Sequence, residues 1–238
     1  MNQHTENESH TSSGSWIVVD YGGVLTNPIE ETVSLFCQHH GLSPNSLLTA
    51  MRAAGEGDET GMALLEKAAI SEKEFLSRVN SQLFPLGELE ITQEVFHDTW
   101  FQGRTANIPM LKALKILHSQ GVRLALLTNN VVEWREQWHR TLGQYRTIFD
   151  VVIDSSEVGV RKPEKEIFEI LLQSTALSAS SSLFIDDDAA NIAAGQSFGL
   201  NCHLFTETAE ALKALDEFVS NNASIRKEVI SPTPQEIQ

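Results

Sequence analysis

The stretch Trp16-Ile17-Val18-Val19-Asp20-Tyr21-Gly22-Gly23-Val24-Leu25-Thr26 decides the fold. Four apolar residues run into a carboxylate, and two glycines follow almost at once. A strand buried on both faces of a parallel sheet reads as a continuous hydrophobic run, not as an alternating one. Open α/β sheets bind ligands at the carboxyl ends of their strands. Asp20 therefore stands where such a fold does its chemistry.

Three later stretches extend the pattern. A second apolar run from Val122 ends on a hydroxyl and two amides, Thr128, Asn129 and Asn130. Gly159-Val160-Arg161-Lys162-Pro163-Glu164 sets a lysine just before a proline suited to the first turn of a helix. A third run, Leu183-Phe184-Ile185, ends on Asp186, Asp187 and Asp188, with Asn191 close behind. Together these ends offer a nucleophile, neutral hydrogen-bond donors, a fixed cation and a hard-metal site, an inventory suited to a phosphoryl group.

In this order the four motifs resemble those of the haloacid dehalogenase superfamily, and they span Asp20 to Asn191, most of the chain. The Asp-x-Gly-Gly-Val-Leu and Thr-Asn-Asn wording is similar to the phosphatase domain of epoxide hydrolases and to small bacterial sugar phosphatases. The resemblance implies an α/β fold: a Rossmann-like parallel sheet of strand order 5-4-1-2-3, Asp20 on the central strand, and an inserted all-helical cap between the first and second motifs. It also implies an Mg²⁺-dependent phosphatase of small phosphorylated metabolites. Asp20 would be the nucleophile and carry an aspartyl-phosphate, and Lys162 would pair with the phosphate and with Asp20. Mg²⁺ would take Asp20, Asp187 and the backbone carbonyl of Gly22, with Asp186 reaching it through water. Thr128 and the backbone of Asn129 would bond the phosphoryl oxygens, Asn130 would face the substrate, and Asn191 would stand behind the ligands. Asp188 reads as a helix N-cap.

One position departs from the pattern. Most phosphatases of this superfamily carry a second Asp two residues after the nucleophile, which protonates the leaving oxygen and later activates water. This chain has Gly22 there. General acid–base help is worth ~10²–10⁴-fold. Three outcomes stay open: a leaving group that departs unprotonated, a proton from elsewhere (Glu56, Asp58 and Glu59 among the candidates), or loss of turnover.

Helical periodicity fills residues 27–107, the cap candidate, including a capping box at Ser71 and Glu74 followed by Phe75, Leu76, Val79 and Leu83. Residues 16–26 and 108–220 alternate strand and helix as the core domain, with one helix expected over Val131–Gly143. Trp134 and Trp138 read as packing residues. Residues 1–15 and 221–238 read as disordered tails.

The 238 residues carry 32 acidic and 17 basic side chains, a net charge of −15, which argues against nucleic acid and anionic membranes as partners. No run is long and apolar enough to span a membrane, and the first residues have no signal-peptide character. Cys37 and Cys202 read as free thiols, so the expected location is cytoplasmic. Oligomeric state is not legible.

Three rival readings remain. A metal-free 2-haloacid dehalogenase needs no general acid and could hold a carboxylate with Arg52, but has no use for the Asp186–Asp187 pair. Carbon–phosphorus cleavage would need an imine-forming cap lysine, Lys67 or Lys73. A non-catalytic binding protein would also explain Gly22.

Overall fold

A computed structural model describes residues 15–229. Five strands, β1 (Trp16–Val19), β2 (Arg123–Thr128), β3 (Val151–Asp154), β4 (Ser182–Asp186) and β5 (Asn201–Leu204), form one parallel sheet of order β3-β2-β1-β4-β5. Read from the other edge this is the 5-4-1-2-3 order that the resemblance implied, with β1 at the centre. The continuous apolar runs follow from burial on both faces. Ile17 and Val19 face one layer with Leu124, Leu126 and Ile185, while Val18 faces the other with Ala125, Leu127 and Phe184.

The first layer is covered by α6 (Ile108–Ser119), α7 (Arg135–Leu142) and α11 (Thr208–Val229), through Met110, Leu111, Leu114, Trp138 and Leu215. The second is covered by α9 (Lys165–Thr175) and α10 (Ala189–Ser197), through Ile167, Phe168, Leu171 and Ile192. Short α8 (Ser155–Val158) follows β3 directly and was not expected.

Five helices lie between β1 and α6: α1 (Ile29–His40), α2 (Pro44–Ala53), α3 (Gly61–Glu66), α4 (Glu72–Leu83) and α5 (Gln93–Trp100). Their apolar faces meet in a separate cluster that includes Phe36, Leu47, Phe75, Val79, Phe96 and Trp100. At the expected capping box, Ser71 Oγ accepts from the Glu74 N–H at 3.2 Å, but the Glu74 carboxylate turns away to Arg78 at 2.7 Å. Thr26 and Ala106 pair as an isolated antiparallel bridge, so the two ends of the insert leave the sheet side by side.

Three expectations are corrected. The segment after Asn130 is a 3₁₀ turn over Val132–Trp134 followed by α7, not one helix. Trp138 packs in the sheet layer, whereas Trp134 joins the cluster of the insert. Pro163 precedes α9 by two residues and follows a cis peptide bond, with Glu164 as N-cap, so it is not a first-turn proline. The final helix runs to Val229, into the segment expected to be an unstructured tail, because no glycine or proline interrupts the chain before Pro232. The remaining tail residues, 1–14 and 230–238, lie outside the described residues. Among the described residues no helix is long and apolar enough to cross a membrane.

Candidate active site

The carboxyl ends of β1, β2 and β4 converge, and with them the motifs they carry. Asp20 directly follows β1, its N–H bonded to the Ile185 carbonyl at 3.0 Å. Lys162 is 1% exposed, and its ammonium lies 2.8 Å from Asp20 Oδ1 and 2.6 Å from Asp186 Oδ2. The pairing with Asp186 was not expected. Burial alone would lower the Lys162 pKa, but the two carboxylates outweigh it and hold the pKa above its usual value. Asp186 is wholly buried, and its Oδ1 accepts from the Asp188 N–H at 2.9 Å and from Asn191 Nδ2 at 3.0 Å. Both oxygens of Asp186 are thus committed to the protein, which leaves a cation to reach it through water or a spare lone pair. Asp188 caps α10, accepting from the Ala190 N–H at 2.7 Å, as its sequence position suggested.

Asp187 stands exposed on the cleft side. Gly23 (φ +73°) allows it to approach: a Cβ there would lie 1.9 Å from Asp187 Oδ2. The second motif is split in its roles. Thr128 is fully buried, with its hydroxyl 3.4 Å from the Asn129 carbonyl, and it does not reach the cleft wall. Asn129 lines the cleft, yet its side chain is bonded on both sides to the Lys162 backbone. Asn130 lines the cleft too, and its Nδ2 is buried without a partner among the described residues.

The cleft encloses about 620 Å³, within the range of small-molecule sites. Its floor holds Asp20, Gly22, Asn129 and Asp187, and its far wall comes from the insert, with Ile29, Val33, Met51, Met62, Trp100 and Phe101. Glu56, Asp58 and Glu59 do not line it, and Glu59 pairs with Lys67. Arg52 does line it, whereas Lys67 and Lys73 do not. Glu66, overlooked in the sequence, lines the cleft from α3 and is ion-paired with Arg161 at 2.7 Å. Burial raises the Glu66 pKa, and Arg161 pulls against it.

Arg104 was also overlooked. It reaches the cleft from the outgoing end of the insert. Its Nη1 donates to the Asn27 carbonyl at 2.9 Å and to Thr26 Oγ1 at 3.3 Å. Its Nη2 lies 3.5 Å from the point where a Cβ on Gly22 would sit. No signal in the sequence linked it to Gly22, because the contact is long-range and forms only when the insert closes on itself.

The donor set suits a hard divalent ion. Carboxylate oxygens of Asp20, Asp186 and Asp187 lie within 4.8 Å of one another, the all-oxygen chemistry that Mg²⁺ favours. Asn191 Oδ1 beside them is buried and unpartnered among the described residues. The crowding also shows in the acidities. Burial raises Asp20 to about 7; Lys162 pulls it down while the charges of Asp186 and Asp187 add to the rise. Burial and Asp186 raise Asp187 to about 6. One lysine does not neutralise three carboxylates, and a divalent cation would.

The family model for haloacid dehalogenase-like hydrolases matches residues 15–199. The chain is 25% identical over 241 residues to acyl-CoA dehydrogenase family member 10 of Mus musculus, a match covering 94% of this chain and 22% of that protein. It is 30% identical over 117 residues to bifunctional epoxide hydrolase 2 of Mus musculus, covering 48% of this chain and 21% of that protein. It is 29% identical over 112 residues to sesquiterpene phosphatase astK of Aspergillus oryzae, covering 44% of this chain and 53% of that protein. The chain thus spans about a fifth of the length of the two mouse proteins. A HAD family enzyme of Bacteroides thetaiotaomicron, solved with magnesium and inorganic phosphate, shares the fold. The TM-score is 0.64 at 19% identity, over 81% of this chain and 94% of that one. So does L-2-haloacid dehalogenase of Xanthobacter autotrophicus with chloropropionic acid covalently bound, at TM-score 0.60 and 13% identity over 87% of each chain.

Proposed function

The chain belongs to the haloacid dehalogenase-like hydrolases, and we propose that within them it is a phosphatase that passes the phosphoryl group through Asp20. The observation that carries this reading is the buried Lys162 shared by Asp20 and Asp186, with Asp187 completing an oxygen cluster within 4.8 Å. A metal-free enzyme that displaces halide can use the lysine but has no need of the Asp186–Asp187 pair. An enzyme that brings a carboxylate against a phosphate dianion does.

In this reading Asp20, Asp187 and the Gly22 carbonyl would hold Mg²⁺, with Asp186 behind them. Bound there, the ion neutralises phosphoryl oxygens and lets nucleophile and phosphate approach. Lys162 pulls the Asp20 pKa down against its burial and aims the carboxylate. Asn129 fixes Lys162 with its side chain and offers its backbone to the phosphoryl oxygens, and the free Asn130 Nδ2 faces the substrate. The insert acts as a cap whose apolar wall takes the organic body of a small phosphorylated metabolite. The phosphatase named among the relatives supports this direction.

The test is hydrolysis of p-nitrophenyl phosphate with and without Mg²⁺, by the native protein and by Asp20→Asn. Activity that requires both Mg²⁺ and Asp20 is expected. Absence of activity in folded, Mg²⁺-binding native protein would point to a non-catalytic binding role.

One observation favours a second reading. Arg52 lines the cleft and could hold the carboxylate of a 2-halo acid. Release of chloride from 2-chloropropionate in the presence of a chelator would establish it.

A further inference from the structure

The vacancy at Gly22 has a neighbour. Arg104 Nη2 lies 3.5 Å from the point where a side chain on Gly22 would begin, and that same point is 4.0 Å from Asp20 Oδ2. The guanidinium thus borders the space beside Gly22, within electrostatic reach of Asp20, on the side where the resemblance places the acid that serves the leaving oxygen. It is anchored through Nη1 to Thr26 and Asn27, so Nη2 remains directed at the cleft, and among the described residues it forms no ion pair.

Four of the cleft carboxylates are already committed. Asp20 and Asp187 belong to the oxygen cluster, Asp188 caps α10, and Glu66 is held by Arg161. Glu30, on the first turn of α1, is exposed and without any ion pair among the described residues; it lies within electrostatic reach of Arg104, whose charge favours its ionised form over a proton-donating one. An arginine cannot give up a proton at any ordinary pH. It can hold a developing oxyanion with aligned N–H groups in a partly desolvated site.

We propose that Arg104 is a catalytic residue that stabilises the leaving oxygen as an anion, which restricts this chain to phosphoryl compounds with acidic leaving groups: aryl, enol or acyl phosphates and phosphoanhydrides. This rests on the phosphatase reading above. In the first step an Asp20 oxygen bonds to phosphorus and the bond from phosphorus to the leaving oxygen breaks. The electron pair departs on that oxygen, which Arg104 holds; no proton moves. In the second step water bonds to phosphorus, the bond to Asp20 breaks, the carboxylate is restored, and both water protons leave on the phosphate. Alkyl phosphates, whose alkoxides are strongly basic, are poor substrates in this scheme.

The experiment measures kcat/KM for aryl phosphates graded from p-nitrophenyl to phenyl phosphate, in native protein, Arg104→Ala and Arg104→Lys, each shown folded by its thermal transition. The native rate should fall steeply as the leaving phenol becomes less acidic. Arg104→Ala should steepen the dependence, with a loss of a few-fold on p-nitrophenyl phosphate and on the order of 10²-fold on phenyl phosphate. Arg104→Lys should fall between, and it keeps the comparison available if Arg104→Ala does not fold. A uniform loss across the series, or a native rate insensitive to the leaving group, would overturn the role of Arg104 and leave the phosphatase reading intact. No hydrolysis of any member by native protein would overturn both.

Discussion

Asn129 holds Lys162 by its backbone: its Oδ1 accepts from the Lys162 N–H at 2.8 Å, and its Nδ2 donates to the Lys162 carbonyl at 3.0 Å. The amide after β2 thus fixes the lysine before α9, and that lysine in turn spans Asp20 after β1 and Asp186 at the end of β4. Three strand ends are joined through one lysine, two by its ammonium and one by its backbone.

Cutting this clamp is expected to harm both stability and turnover. Asn129→Ala removes two hydrogen bonds and leaves two backbone groups to find other partners, a loss of about 1–3 kcal/mol. Urea melts check the stability. Hydrolysis of p-nitrophenyl phosphate should fall with it, because Lys162 is no longer held against Asp20. Unchanged activity would show that the sheet alone positions the lysine.

Removing the ammonium itself is more severe. Lys162→Met leaves Asp20 and Asp186 buried without their shared cation, and breaking such a pair costs about 3–5 kcal/mol. The loss should be larger at pH 8 than at pH 5, since the carboxylates can relieve it by taking up protons. Denaturant melts at the two pH values decide this.

The raised carboxyl pKa values set a pH dependence for the metal-free protein. Asp20 goes from 3.8 to about 7 in the folded state, and Asp187 from 3.8 to about 6. Between those limits the folded protein binds more protons than the unfolded chain, so stability falls as pH rises. Thermal melts in chelator should therefore decline from pH 5 to pH 8, and Asp20→Asn should flatten the decline. Added Mg²⁺ should raise the melting temperature more at pH 8 than at pH 5. Equal shifts at both would contradict a site built on these carboxylates.

Asp187 and Gly23 should fail together. Asp187→Ala is expected to abolish Mg²⁺ binding in calorimetry while leaving the fold intact, because the side chain is exposed to the cleft. Gly23→Ala forces a Cβ to within 1.9 Å of Asp187 Oδ2 at φ +73° and should displace that carboxylate. The left-handed conformation adds about 1–2 kcal/mol of strain. Full Mg²⁺ affinity in Gly23→Ala would remove Asp187 from the ligand set.

The α/β fold and the meeting of Asp20, Asn129 and Asp187 were legible because each sits just past an apolar run, and strand ends in a parallel sheet share one edge; Lys162 lies in a loop, and only its place in the motif ahead of Pro163 pointed to it. The helical faces were legible for a similar reason: Met110, Leu111, Leu114 and Leu117 recur at helical spacing and are buried together. The limits were local. Proline at 163 fits a helix start, but the turn ahead of α9 claims it first. The polar composition after Val219 suggested a tail, yet polarity without a breaker does not stop a helix. Arg104 and Glu66 were illegible because their importance comes from contacts across the insert, which no periodicity in the chain encodes.

The bridge between Thr26 and Ala106 has an architectural meaning. Asn27 N–H reaches the Thr105 carbonyl at 3.0 Å, and Asn107 N–H reaches the Leu25 carbonyl at 2.8 Å, so the five inserted helices hang from a closed, two-stranded neck. Closure entropy grows only slowly with the length of the closed segment. To the sheet, the whole insert is thus equivalent to a hairpin turn, and the helices form a module that can be exchanged without redrawing the layers below. Arg104 belongs to the neck. A graft cut inside Thr26 and Ala106 would carry the guanidinium away with the module and open the space beside Gly22 to water.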